Sequence, residues 1–148
     1  MKSIIIAAAG ILLFSFVGCS SLTLSPANFS WAIESVLPVN QQGIVTDKRY
    51  AVSFNAKPLF FAEKGDSALY TDEELHIIKN EKGYYFITAK SFSGVYVFQE
   101  TEGALTMTNK ILLKNNLVNP AFNARSPWIE LVDGSEKYLL DNKGFKGN

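Results

Sequence analysis

The sequence predicts an all-β fold: a single small antiparallel domain of about nine to eleven short strands, built as a sandwich or a barrel, with a blade-like propeller fragment as the alternative. Three observations carry this expectation. Apolar and polar residues alternate over short runs, as in Arg49 to Asn55, where Tyr50, Val52 and Phe54 share one face. Clusters of Gly, Asn, Asp and Pro separate these runs at intervals that suit hairpin turns. Beyond the first nineteen residues, no window of 12 or more residues carries a helical apolar stripe. Two tryptophans, six tyrosines and many phenylalanines add to the case, because rings pack well on a half-buried pleated surface.

The first nineteen residues stand apart. Lys2 is their only charge, and Ile4 to Val17 is an apolar run of fourteen residues broken by Gly10 and Ser15. A transmembrane helix needs about 20 such residues to cross roughly 30 Å of hydrocarbon. A basic start, a short apolar centre and small residues at the end are the pattern of a secretory signal peptide. Phe16-Val17-Gly18-Cys19 closes the run with the single cysteine of the chain. This stretch resembles the lipobox of bacterial lipoproteins, although Phe16 stands where that pattern usually has Leu. The resemblance covers residues 1–20 only. It implies that residues 1–18 are a signal peptide, removed after Cys19 is lipidated with palmitate-type acyl chains. Two or more such chains hold a protein stably at a bilayer. Ser20 replaces the Asp that marks inner-membrane retention in enterobacterial-type sorting, so the resemblance implies the outer membrane. Residues 19–29 then comprise the lipidated Cys19 and a tether of small polar residues with Pro26, and residues 30–148 form the β-domain.

Without the leader, 130 residues remain, enough for one domain with a sizeable core. Thirteen basic residues then face 14 acidic ones, so the net charge is near −1. No basic excess is available to neutralise phosphates, so nucleic acid is not an expected partner. With Cys19 acylated, no thiol remains for a disulfide.

The strands are expected in the following order. Trp31 to Leu37 opens the domain, and Pro38 to Gly43 turns the chain into Ile44 to Thr46 and Arg49 to Asn55. Pro58 suggests that a strand from Leu59 to Glu63 begins there or lies on an edge. Lys64 to Ser67 forms a turn into Ala68 to Tyr70. Asn80-Glu81-Lys82-Gly83 joins Leu75 to Lys79 with Tyr84 to Ala89 as a hairpin. Glu100-Thr101-Glu102-Gly103 and Asp133-Gly134-Ser135-Glu136 mark two more hairpins. Ile111 to Leu113 reads as a separate short strand, Asn115 to Pro127 as the longest irregular piece, and Asp141 to Asn148 as a frayed tail. A weak repeat relates Phe60 to Leu69, Val97 to Leu105 and Leu131 to Leu139 at offsets of 36 and 34 residues. It is the basis of the propeller alternative, although blade repeats run about 40–50 residues.

Signatures of catalysis are sparse. His76 is the only histidine, and with no cysteine partner it does not make a dedicated zinc site, so no metal and no cofactor are expected. Neither a Gly-x-Ser-x-Gly elbow nor a phosphate-cradling glycine loop occurs. The acids cluster in turns (Asp72-Glu73-Glu74, Glu100 with Glu102, Asp133 with Glu136), where solvation keeps them ordinary. Aromatics are the remaining candidates. Phe60-Phe61 and Tyr84-Tyr85-Phe86 put rings on both faces of their expected strands, and Tyr96 shares a face with Phe98. Phe60, Phe61, Tyr84, Tyr85 and Tyr96 are therefore the candidate binding surface, for an envelope protein or a glycan. The expected function is a non-enzymatic binding or scaffolding domain in the cell envelope. The alternatives are an inhibitor or immunity-type lipoprotein using Asn115 to Pro127, and a carboxylate-dependent hydrolase.

Overall fold

A computed structural model describes residues 32–66, 68 and 70–147. The signal peptide, Cys19, the tether and Trp31 lie outside the described residues. In chain order the elements are β1 (Ser35–Pro38), β2 (Ile44–Asp47), β3 (Val52–Asn55), α1 (Lys57–Lys64), β4 (Glu74–Lys79), β5 (Tyr84–Thr88), β6 (Gly94–Thr101), β7 (Ala104–Leu112), β8 (Pro120–Arg125), β9 (Trp128–Asp133), β10 (Glu136–Asp141) and β11 (Gly144–Phe145). Every strand pairing is antiparallel. Among the described residues the fold is all-β with one short helix. No helix among the described residues is long and apolar enough to cross a membrane.

Three sheets form: β1-β4-β5-β6-β7, β11-β10-β9-β8, and the β2-β3 hairpin. β1 and β7 are the edges of the five-stranded sheet, so it does not close into a barrel. That sheet is the centre of the molecule because its middle strands are apolar on both faces. A strand buried on both faces reads as a continuous apolar run rather than an alternation. β5 is such a strand. Its Tyr85 and Ile87 join Leu75, Ile77 and Tyr96 in one core, beneath β2, β3 and α1. Its Phe86 joins Ile78, Val95 and Val97 in a second core, shared with Phe122, Ile129, Leu131 and Leu140 of the four-stranded sheet. Tyr85 and Phe86, adjacent on β5, thus serve different cores.

Several sequence expectations are corrected. Leu59 to Glu63 is not a strand but most of α1. Pro58 lies in the first turn of the helix, where its fixed φ is already helical and its missing N–H is not needed. Gly65 ends the helix in the left-handed region (φ 70°), with its N–H bonded to the Phe61 carbonyl. Ile111 to Leu113 is not a separate strand; Ile111 and Leu112 end the nine-residue β7. Asn115 to Pro127 is not irregular throughout, because it contains β8, paired through Phe122 opposite Leu131. The tail contains β11, held by Leu140 opposite Phe145. The first strand starts at Ser35, later than expected. The repeat has no structural counterpart: its first copy falls on α1, the other two on the β6–β7 and β9–β10 hairpins.

Candidate functional site

The five aromatic residues singled out from sequence do not come together as an exposed surface. Phe60, Tyr85 and Tyr96 are buried in the first core, and Tyr84 is half-buried against the second. Phe61 alone is open to solvent, 60% exposed on the outer side of α1. These rings have structural partners: Phe60 packs edge-on to Phe92, Phe92 to Tyr96, and Tyr50 to Tyr85.

Tyr96 belongs to a polar cluster that sequence reasoning missed. The Glu63 side chain is 2% exposed at the end of α1 and accepts a hydrogen bond from the Ser93 N–H (2.6 Å), the Tyr96 hydroxyl (2.7 Å) and Lys110 Nζ (2.6 Å). The Ser93 hydroxyl adds a fourth at 3.2 Å. Burial alone would push the Glu63 carboxyl up, but the bonds from Lys110, Ser93 and Tyr96 outweigh it and hold the group below its ordinary value. Burial and the Glu63 acceptor push the Tyr96 hydroxyl up. Lys110 is also raised: burial opposes its charge, and the partners Glu63 and Tyr96 more than offset this. Both carboxylate oxygens are engaged, so the cluster is a clasp between α1 and the sheet.

His76 is also engaged. Its Nδ1 lies 2.8 Å from Glu34 Oε1, which accepts the Phe122 N–H at 2.8 Å as well. Among the described residues, no group of three or more His, Cys, Asp or Glu side chains is placed to hold a metal ion. Several of the turn acids are tied to other segments of the chain. Asp133 accepts the N–H groups of Val118 and Asn119, Glu73 pairs with Lys64, and Glu100 accepts from the Tyr85 hydroxyl.

A cleft lies at one end of the second core. Here the β4–β5 turn, the β8–β9 turn and the residue Ala32 surround a cavity of about 200 Å³. Ala32, Ala124 and Ile129 supply an apolar floor; the first two are small, which leaves the space open. Pro127 and Trp128 form a wall at the hairpin tip, with Trp128 40% exposed. Asn80, Glu81 and Ser126 line the rest. Comparison with protein-family models, curated proteins and solved structures gave no match. The geometry of this end is therefore the guide to function.

Two local devices hold the cavity residues in place. Asn80 is only 9% exposed, and its Oδ1 accepts the N–H groups of Lys82 and Tyr84, each at 3.0 Å, which closes the β4–β5 turn. On the other side, Arg125 opposite Trp128 closes the two-residue β8–β9 turn. Arg125 Nε is 3.4 Å from Glu130 Oε1, and Asn123 Nδ2 is 3.1 Å from Glu130 Oε2, which steadies the tip from the outer face of the sheet. The sequence signal that could have found this site was Ser126-Pro127-Trp128, a large ring immediately after a two-residue turn.

Proposed function

We propose that this chain is a bacterial lipoprotein, anchored to the outer membrane through Cys19, whose β-domain binds a glycan or protein partner in the cell envelope. The observation that carries the binding part is the cavity beneath exposed Trp128, a concave apolar site with a few fixed polar groups. Ala32, the first of the described residues, lines the same cavity. The anchoring part rests on Phe16-Val17-Gly18-Cys19 and the short apolar leader. Binding is favoured over hydrolysis because Glu63 is committed to four donors and Glu130 to Asn123 and Arg125, so that of these buried acids only Asp47 keeps an oxygen, Oδ2, without a partner among the described residues.

Metabolic labelling with a palmitate analogue tests the anchor. The wild-type chain should incorporate label and partition into detergent, whereas Cys19→Ser should do neither. Equal labelling of the variant overturns the assignment. Pull-down of the lipidated protein from gently solubilised envelopes tests the domain. It should enrich one specific glycan or protein, and bulk membrane protein alone would refute the binding reading.

A further inference from the structure

We infer that the Trp128 cavity takes one pyranose ring of a neutral, hydroxyl-rich glycan. This deepens the binding reading above and rests on it. Size is the first argument. Clefts that enclose drug-sized ligands run to about 300–1,000 Å³. The cavity here is about 200 Å³, room for a single ring rather than a whole oligosaccharide. The rest of a chain would lie outside, along the exposed hairpin tip.

The walls supply the second argument. A pyranose has a face of polarised C–H bonds and a rim of hydroxyls. Trp128 presents an electron-rich ring at the edge of the cavity, and the negative face of such a ring attracts polarised C–H groups. Pro127 and Ile129 extend the apolar contact. Hydroxyls need both donors and acceptors. Asn80, 9% exposed and fixed by its own turn, lines the cavity and carries an amide donor. Glu81 is an acceptor.

Charge is the third argument. The one ionisable residue that lines the cavity is Glu81, an acid. A phosphate or carboxylate ligand would meet that like charge, with no cation among the described residues that line the cavity. The site therefore suits a neutral sugar.

The test uses the full-length lipidated chain in detergent, titrated with maltotetraose and with the tetrasaccharide of N-acetylglucosamine. Trp31 and Trp128 are the only tryptophans, so Trp31→Phe isolates the Trp128 signal. Saturable emission change with one of these sugars is expected, with Kd between about 0.1 and 1 mM, as suits a single-ring contact. Trp128→Ala should weaken sugar binding, followed by calorimetry, by at least about tenfold. Glu81→Gln, a turn change with little structural cost, should weaken it less. No emission change with either sugar up to about 10 mM overturns the inference. So does sugar binding that Trp128→Ala leaves intact. Envelope pull-down with the wild-type chain separates the two levels: a specific protein partner enriched while neither sugar binds rejects the glycan site and leaves the binding reading standing.

Discussion

Glu63 is where one side chain decides whether α1 stays on the sheet. It lies at the last turn of a helix of eight residues, too short to be stable by backbone bonds alone. Four donors from β6, β7 and the Ser93 turn converge on it. Removing the charge while keeping the shape should loosen the clasp: Glu63→Gln is expected to lower the unfolding free energy by about 1–3 kcal/mol in urea denaturation. The pH dependence follows from the direction of the shift. The Glu63 carboxyl is held below its ordinary value in the folded chain. Its contribution is then complete above the unfolded value of about 4.3 and is lost as pH falls through the lower folded value. Lys110 is shifted upward, so its contribution is complete below the unfolded value of about 10.4 and lost as pH rises through the folded one. In Glu63→Gln both slopes should flatten. Stability–pH profiles that match wild type at both extremes would rule out the clasp.

At the scale of elements, the β6–β7 pair holds the tightest backbone approach. A Cβ built on Gly94 would sit 2.2 Å from the Ile111 carbonyl oxygen, a backbone atom that no rotamer change can move. Gly94→Ala must therefore push β6 and β7 apart, at a cost of about 1–3 kcal/mol or more. Gly147→Ala, with nothing within 4 Å, should leave the thermal midpoint unchanged and serves as the control. Equal midpoints for the two variants would mean that the pair separates freely at Gly94. The hairpins at Asn80–Gly83, Glu100–Gly103 and Asp133–Glu136 were legible in the sequence because turn chemistry is local: Asn80 binds its own following amides, and glycine supplies the backbone freedom. α1 was not legible. Eight residues give little more than two turns, too few for a periodic stripe, and Phe60-Phe61 suits a strand equally well. β8 was hidden for another reason. As an edge strand it presents only Phe122 to the core, and its small and polar residues read as loop. The candidate site was the least legible feature. Nothing local in the sequence brings Asn80 and Trp128 to one cavity; the stacking of two sheets does.

At the scale of the whole molecule, one carboxylate joins the two large sheets. Glu34 lies just before β1, and its Oε1 meets His76 on β4 and the Phe122 N–H on β8. β4 belongs to the five-stranded sheet and β8 to the four-stranded one. β8 is an edge strand, so this bond and its pairing with β9 are its main polar ties. The apolar core between the sheets resists separation but does not by itself fix their register, because burial is non-directional. Two hydrogen bonds to one oxygen supply the direction. Glu34→Ala leaves both donors without that acceptor, and an unmet buried donor costs about 1–3 kcal/mol. The loss should be uneven. Amide hydrogen exchange should accelerate at Phe122 and along β8 more than at Phe86 in the middle of the central sheet, since exchange reports local opening before global unfolding. Because β8 leads into the Ser126-Pro127-Trp128 tip, the same variant should also broaden the Trp128 indole NMR signal. Uniform acceleration across both sheets would place Glu34 in general stability only, and no change at β8 would show that the apolar core alone aligns the two sheets.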